Sequence, residues 1–243
     1  MLLQDERKYI KILPQPTDES CGPTCLHAVY NYYDDFLNLD DVIKEVAQVK
    51  GGGTLAVMLA NHALPRGYKA KIYTYNLHVF DPTWFQNNVD LSVKLKEQSK
   101  YKKSKKLRQA TKAYQQYINS GGELLYEELS PELLKTILRS KTPILTGLSA
   151  TYLYQSAREI GAINMYHDTK GEPSGHFVVL CDYDEVQDKV LIADPLDPNP
   201  ISDTNQYYAV DIQRVVNAIL LGIVTYDANL LIIEPNHAAI NHN

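Results

Sequence analysis

The stretch Gln15-Pro-Thr-Asp-Glu-Ser-Cys-Gly-Pro-Thr-Cys25 constrains this 243-residue chain more than any other. Proline is at home in the first turn of a helix, where its missing N–H costs nothing, so Pro23 sets a helix start at its immediate neighbours. Cys25, Leu26, Val29, Tyr32 and Tyr33 continue the pattern at helical spacing to about Asp35 and predict one apolar side. Cys21 therefore stands at a helix N-terminus, where backbone dipoles and unpaired N–H groups favour a thiolate. Gly22 lets backbone come close. Six residues before Cys21, Gln15 carries a side-chain amide. Together with a backbone N–H, such an amide can hold the oxyanion formed when a thiolate attacks a carbonyl. Loss of one such donor typically costs ~10²–10³ in rate.

A thiol nucleophile needs a base and something to orient it. Ser174-Gly175-His176-Phe-Val-Val-Leu180 puts a histidine at the start of an apolar strand, which is a rigid mount. Leu191-Ile-Ala-Asp194-Pro195 puts an acid at the end of the next strand. The connection between them, Asp182-Tyr-Asp-Glu-Val-Gln-Asp188, is polar and reads as a hairpin. A hairpin there returns Asp194 to the level of His176, where a carboxylate orients the imidazole and stabilises its charged form. Asp182 is the rival for that role. Cys25, one turn beyond Cys21, reads as core, and Cys181 reads as a buried strand residue.

The remaining elements follow from periodicity and punctuation. Lys8–Leu13 reads as a short strand. Helices are expected from Asp40 through Val49, stopped by Gly51-Gly-Gly53, and from Thr54 to Ala63. Lys69–Tyr75 alternates as a half-buried strand does. Pro131–Arg139 reads as a helix capped by Ser130, and Asp211–Leu220 as another. Short apolar runs at Pro143–Leu148, His176–Asp182, Lys189–Ala193 and Leu230–Glu234 read as strands. Helices thus come first and an antiparallel sheet second, an α+β pattern rather than alternating βαβ units. Residues 1–243 are expected to form a single domain. Nine lysines and arginines between Lys94 and Lys112 mark a basic helical insertion at about 91–120. That segment is expected to face solvent, with an acidic partner as its possible contact.

Composition excludes several classes. The net charge of −5 provides no global field for nucleic acid. No apolar run is long enough to span a bilayer. The N-terminal Met-Leu-Leu-Gln-Asp-Glu-Arg-Lys lacks the apolar core of a signal peptide, so a cytoplasmic location is expected. Three cysteines in a chain this long are not a disulfide scaffold. No His/Cys cluster has zinc-ligand spacing, so no metal and no cofactor is expected. Tyrosine is abundant, 18 against 4 Phe, and suits half-buried cleft walls. Trp84 and the tyrosines at 152–154 are the candidates.

The ordered set Gln-x5-Cys-Gly-Pro-Thr, Gly-His-Phe-Val-Val-Leu and Asp-Pro resembles the papain-like cysteine peptidases. In particular it is similar to the bacteriocin-processing peptidases, which cleave double-glycine leader peptides. The resemblance covers the N-terminal helix and the C-terminal strands. It implies a papain-like fold with N-terminal helices packed on an antiparallel sheet. It also implies Gln15 as oxyanion donor, Cys21 as nucleophile, His176 as base and Asp194 as orienting acid. No transporter follows in this chain, so a stand-alone peptidase acting on a peptide or protein substrate is expected. The same residues support thioester-linked hydrolysis of an amide, or acyl transfer to an amine. A peptide-binding module on a peptidase fold is the reading from outside enzymology.

Overall fold

In the computed structural model, which describes residues 9–50, 52–86, 89–163, 165–202 and 205–236, the chain is built around its first helix. α1 (Cys21–Tyr32) is buried from Cys21 to Tyr30 without interruption. A helix apolar all round belongs in an interior. The expectation of a single buried side is therefore corrected. Neighbours enclose α1 from every direction: α2 (Leu39–Glu45), α3 (Ala56–Ala63) and the sheet. Gly22 is required for that enclosure, because a Cβ there would collide with the Thr54 methyl group and approach Leu59 and Phe177.

The strands are β1 (Tyr68–Thr74), β2 (Glu123–Leu125), β3 (Ile144–Ser149), β4 (Glu159–Ile160), β5 (Met165–Tyr166), β6 (Gly175–Asp184), β7 (Lys189–Ala193), β8 (Tyr207–Asp211) and β9 (Asn229–Pro235). Interleaved with them are α4 (Leu91–Tyr101), α5 (Lys105–Asn119), α6 (Pro131–Arg139), α7 (Ala150–Tyr154) and α8 (Ile212–Leu221). Among the described residues, seven strands form one sheet in the order β2-β1-β9-β3-β6-β7-β8, and β4 and β5 form a separate hairpin. Every pairing in the large sheet is antiparallel except β1 with β2. One face of the sheet meets α1, α3 and α5 through Leu26, Leu59 and Tyr117; the other meets α6, α7 and α8 through Leu138, Leu153 and Ile219. The α+β class and the antiparallel character agree with the expectation.

Several local readings are corrected. Residues 9–13 form no strand. Their backbone is instead held by one phenol, Tyr207, which accepts from the Ile12 N–H and donates to the Ile10 carbonyl, both at 3.0 Å. α2 stops at Glu45, because Val46 turns to an extended conformation and Val46 and Val49 point into the core. Gly51 and the N-terminal segment searched for a leader lie outside the described residues. Cys181 is half-buried, not buried, and sits where the β6–β7 register shifts. Asp182 pairs with Lys141 at 3.0 Å.

The lysine-rich segment is also corrected. Its cations do face water at Lys96, Lys100, Lys103 and Lys112, but the opposite side of α5 is core. Leu107, Ala110, Tyr114 and Tyr117 are buried there. The Tyr117 hydroxyl lies 2.8 Å from the Ala70 carbonyl and 2.7 Å from that of Glu123, linking α5 to β1 and β2. The lysines mask the apolar stripe when composition alone is read. Tyr117→Phe should therefore cost about 1–3 kcal/mol in chemical denaturation, because the carbonyls of Ala70 and Glu123 lose the one hydrogen they share. Exchanging Lys96, Lys100 and Lys103 together for Ser should change stability by less than about 0.5 kcal/mol per site. Equal effects from the two sets of substitutions would contradict this packing.

Candidate active site

Cys21 is the first residue of α1, and Ser20 precedes it at the cap position. The Ser20 hydroxyl turns back instead of capping: it accepts from the Thr17 N–H at 3.0 Å and donates to the Thr17 carbonyl at 2.8 Å. No side chain caps α1. The helix therefore presents its open N-terminal end at the cysteine, and Pro23 contributes no N–H there. Cys21 is 8% exposed, so its sulfur is enclosed yet reachable.

His176 is the second residue of β6, opposite Leu148 of β3, and is 7% exposed. Its Nε2 lies 2.8 Å from Asp194 Oδ1. The Cys21 thiol acts on the same ring and helps hold it in the charged form. With Nε2 committed to Asp194, Nδ1 is the nitrogen left for sulfur. Burial opposes the charged ring. The Asp194 charge and hydrogen bond, with the Cys21 thiol, outweigh that and raise the imidazole from 6.5 to about 10.

Asp194 is fully buried and follows the last residue of β7. Its Oδ1 also accepts from the Leu196 N–H at 2.9 Å. Its Oδ2 accepts from the hydroxyls of Tyr154, at 2.8 Å, and Tyr208, at 2.5 Å. Burial pushes the carboxyl up. The His176 charge and the hydrogen bonds from His176, Tyr208 and Leu196 prevail, and its pKa is lowered. A buried carboxylate is costly unless its lone pairs are filled, and four donors fill these.

Register accounts for the meeting of these side chains. The β6–β7 pairs run Asp184–Lys189, Tyr183–Val190 and Asp182–Leu191, then shift by one residue at Cys181 to Leu180–Ile192 and Val179–Ala193. Asp194 is therefore across from Val178, two residues from His176 and on the same face. Such diagonal neighbours are within reach of a long side chain. Without the bulge, Asp194 would point to the other face. Tyr208 pairs with Ile192 and shares that face as well.

Gln15 is tied into the same neighbourhood by its backbone, whose N–H donates to the Pro195 carbonyl at 2.8 Å. Its Nε2 donates to the Thr17 carbonyl at 3.1 Å, and its buried Oε1 has no partner among the described residues. One of its two amide hydrogens is thus held by the turn before Cys21, and the second remains to donate. Cys25 lies elsewhere, buried in the core, with its thiol donating to the Phe177 carbonyl at 3.3 Å. Burial, with the neighbouring Cys21, pushes the Cys25 thiol far up and leaves it inert. The structure thus joins Cys21, His176 and Asp194, sets Gln15 beside Pro195, and leaves Asp182 and Cys25 out. Of the candidate cleft walls, Tyr154 packs 6.2 Å from the His176 ring, while Trp84 packs on Phe80 instead. Tyr208 was absent from the sequence expectation. Its only signal was a tyrosine-rich pair, Tyr207-Tyr208, in a segment not read as a strand.

Among the described residues, no group of three or more His, Cys, Asp or Glu side chains could hold a metal ion, and no helix is long and apolar enough to cross a membrane. No curated protein sequence matches the chain. Among solved structures, a putative C39-like peptidase from Bacillus anthracis is 15% identical over 95% of this chain and 98% of its own, with a TM-score of 0.48. A double glycine motif protease from an AMS/PCAT transporter, solved with its leader peptide, is 15% identical over 95% and 96%, with a TM-score of 0.45. The peptidase domain of Streptococcus ComA, a bi-functional ABC transporter involved in a quorum sensing pathway, is 13% identical over 93% and 99%, at 0.45. The model of the Peptidase_C39 like family matches residues 7–219, and the chain belongs to that family of cysteine peptidases.

Proposed function

We propose that this protein hydrolyses a peptide or related amide bond through a thioester on Cys21. The observation that carries the reading is the buried His176 ring bound through Nε2 to the buried Asp194 carboxylate at 2.8 Å, with Cys21 at the start of α1 among the groups that hold the ring charged. The Cys21 sulfur, having passed its proton to His176, attacks the substrate carbonyl carbon and forms a C–S bond. The carbonyl electron pair moves to oxygen. The second Gln15 amide hydrogen and the open N-terminal amide of α1 stabilise that oxyanion. When the pair returns, the C–N bond breaks and the His176 proton goes to the leaving amine. Water then attacks the thioester, giving its proton to His176, and the C–S bond breaks to release the acid and the thiolate.

Asp194 is a positioning residue in this scheme. It fixes the ring so that Nδ1 faces sulfur, and its charge stabilises the imidazolium at both proton transfers. Tyr154 and Tyr208 keep the carboxylate ionised and immobile. The abundance of tyrosine thus has a local use: an apolar body packs against the sheet while the hydroxyl enters a buried polar network.

Two substitutions test the reading, with cleavage of a fluorogenic peptide library as the assay. Cys21→Ala should abolish turnover while unfolding free energy stays within about 2 kcal/mol of the parent, as for a change at a site. Full turnover in that variant would end the proposal. Asp194→Asn should lower kcat about 10²–10⁴-fold with the fold retained, because the ring loses its charge partner.

The pH dependence has a definite sign. Asp194 is depressed below 3.8, so its contribution to stability is complete above that value and is lost as pH falls through the lower folded value. His176 is raised from 6.5, so its contribution is complete below 6.5 and is lost as pH rises toward about 10. Tyr208→Phe removes one donor that depresses Asp194. Acid unfolding, followed by far-ultraviolet circular dichroism, should then begin at higher pH than in the parent. An unchanged acid midpoint would show that the Tyr208 hydroxyl contributes nothing.

A further inference from the structure

Charge is divided unevenly along this chain. Residues 91–119 hold nine of its 24 Lys and Arg but one of its 29 Asp and Glu, a surplus of eight positive charges. The other residues, with 15 against 28, carry thirteen negative charges net. A protein polarised in this way turns one end toward an anionic surface and keeps the remainder away from it. The hydrolytic scheme uses none of these cations.

Packing fixes where the positive charges stand. α4 and α5 form an antiparallel hairpin, in which the Gln115 amide, well along α5, donates to the Ser92 carbonyl at the start of α4 at 3.4 Å. Its inner side is anchored by Leu95, Leu107 and Tyr114, all buried. The Gln98 amide adds a donor to the Val79 carbonyl at 2.9 Å. The turn between the helices is thus held out from a packed base. Six consecutive residues there, Lys100, Tyr101, Lys102, Lys103, Ser104 and Lys105, are exposed. Arg108 and Lys112, at i+3 and i+7 from Lys105, are exposed too and carry the basic stripe along α5. Lys102 and Lys103 reach neutral acceptors, the carbonyls of His78 at 3.3 Å and Lys100 at 2.8 Å. Among the described residues, no cation between Lys94 and Lys112 stands in an ion pair. Set between the lysines, Tyr101 is 82% exposed, so its ring gains almost no burial from the fold.

We propose that the α4–α5 turn docks the protein on an anionic lipid bilayer, with its lysines against the headgroups and the Tyr101 ring in the interface. Three features favour a bilayer over other polyanions. The turn is the convex end of a helix hairpin, a shape that meets a plane. Its four cations are all lysine, whose compact ammonium suits a diffuse layer of headgroup charge. Nucleic-acid surfaces instead draw on the arginine fork and on several stacking rings, and this turn has no arginine and one ring. A tyrosine, apolar in its body and polar at its tip, is at home at a membrane–water boundary. An acidic polypeptide would meet the same charges but would give the ring no apolar medium to enter. Each lysine close to an anionic leaflet strengthens binding about fivefold, so four supply roughly 10²–10³-fold.

The test is cosedimentation of the full chain with phosphatidylcholine vesicles containing about 30% phosphatidylserine, against phosphatidylcholine alone. At about 0.1 M salt the parent should bind the anionic vesicles at least about tenfold more tightly, and about 1 M salt should release it. Exchanging Lys100, Lys102, Lys103 and Lys105 together for Ser should weaken that binding about 10²-fold or more. Exchanging four exposed lysines elsewhere, Lys11, Lys44, Lys69 and Lys170, should leave it within about threefold. Tyr101→Ser should weaken binding about three- to tenfold and keep the salt dependence, and it decides alone if the turn variant does not fold. No binding to the anionic vesicles, equal binding to both kinds, or equal loss in the two fourfold variants would overturn the inference. So would a Tyr101→Ser protein that binds as the parent does. Retention of a single-stranded oligonucleotide or of polyglutamate without vesicle binding would overturn it as well, by giving the turn to another polyanion.

Discussion

The buried carboxylate of Asp194 is the constraint on which the site depends. An unpaired charge at zero exposure is not tolerated in a protein interior, so the surrounding chain has to supply donors. It draws them from four places: His176 on β6, Leu196 in the following turn, Tyr154 on α7 and Tyr208 on β8. Elements far apart in sequence are thereby fastened at one point. The Gln15 backbone joins through Pro195, which brings the chain before α1 to the same place. Removing the side chain would leave these donors without a common acceptor. Stability and the proposed chemistry therefore share one set of contacts.

A second constraint is geometric. Side chains alternate along a strand, so His176 and Asp194 can share a face only in one register parity. The one-residue shift at Cys181 sets that parity. On the opposite side, α1 delivers Cys21 because the helix is buried from Cys21 to Tyr30 and cannot slide or rotate without exposing apolar surface. The two glycines of the sheet, Gly147 and Gly175, leave room for Asp227, so a further charge reaches the strand from the face that α5 covers. The fold thus places carboxylates on either side of the strand bearing the imidazole.

Much of this was legible in the sequence. Pro23 located the start of α1, Ser130 located a cap that the structure shows, the helix expected from Asp211 begins one residue later with Asp211 as its cap, and the polar run 182–188 located the hairpin that returns Asp194. These are local signals, carried by residues whose backbone or capping preferences act over a few positions. What escaped depends on contacts between distant segments. The bulge at Cys181 has no local signature, because its cause is the pairing on both sides. The buried stripe of α5 was hidden by its lysines, whose charge dominates composition while Leu107, Tyr114 and Tyr117 carry the packing. Tyr208 stands in a segment whose sequence does not alternate clearly enough to be read as a strand, and its importance comes only from what lies opposite. The residues that touch the reacting atoms were readable as a motif. The residues that hold them were not.

The central claim is that Cys21, alone among three cysteines, is a nucleophile. The three thiols form an internal competition, since Cys25 is fully buried and Cys181 is half-buried with its pKa pushed up to about 12 by burial. Brief exposure of the native protein to a limiting thiol electrophile, followed by peptide mass spectrometry, reads the outcome in one sample. Modification concentrated on Cys21, and lost when His176 is replaced by Phe, is the expected result. Modification of Cys181 or Cys25 with Cys21 left untouched would contradict the assignment of the reactive centre.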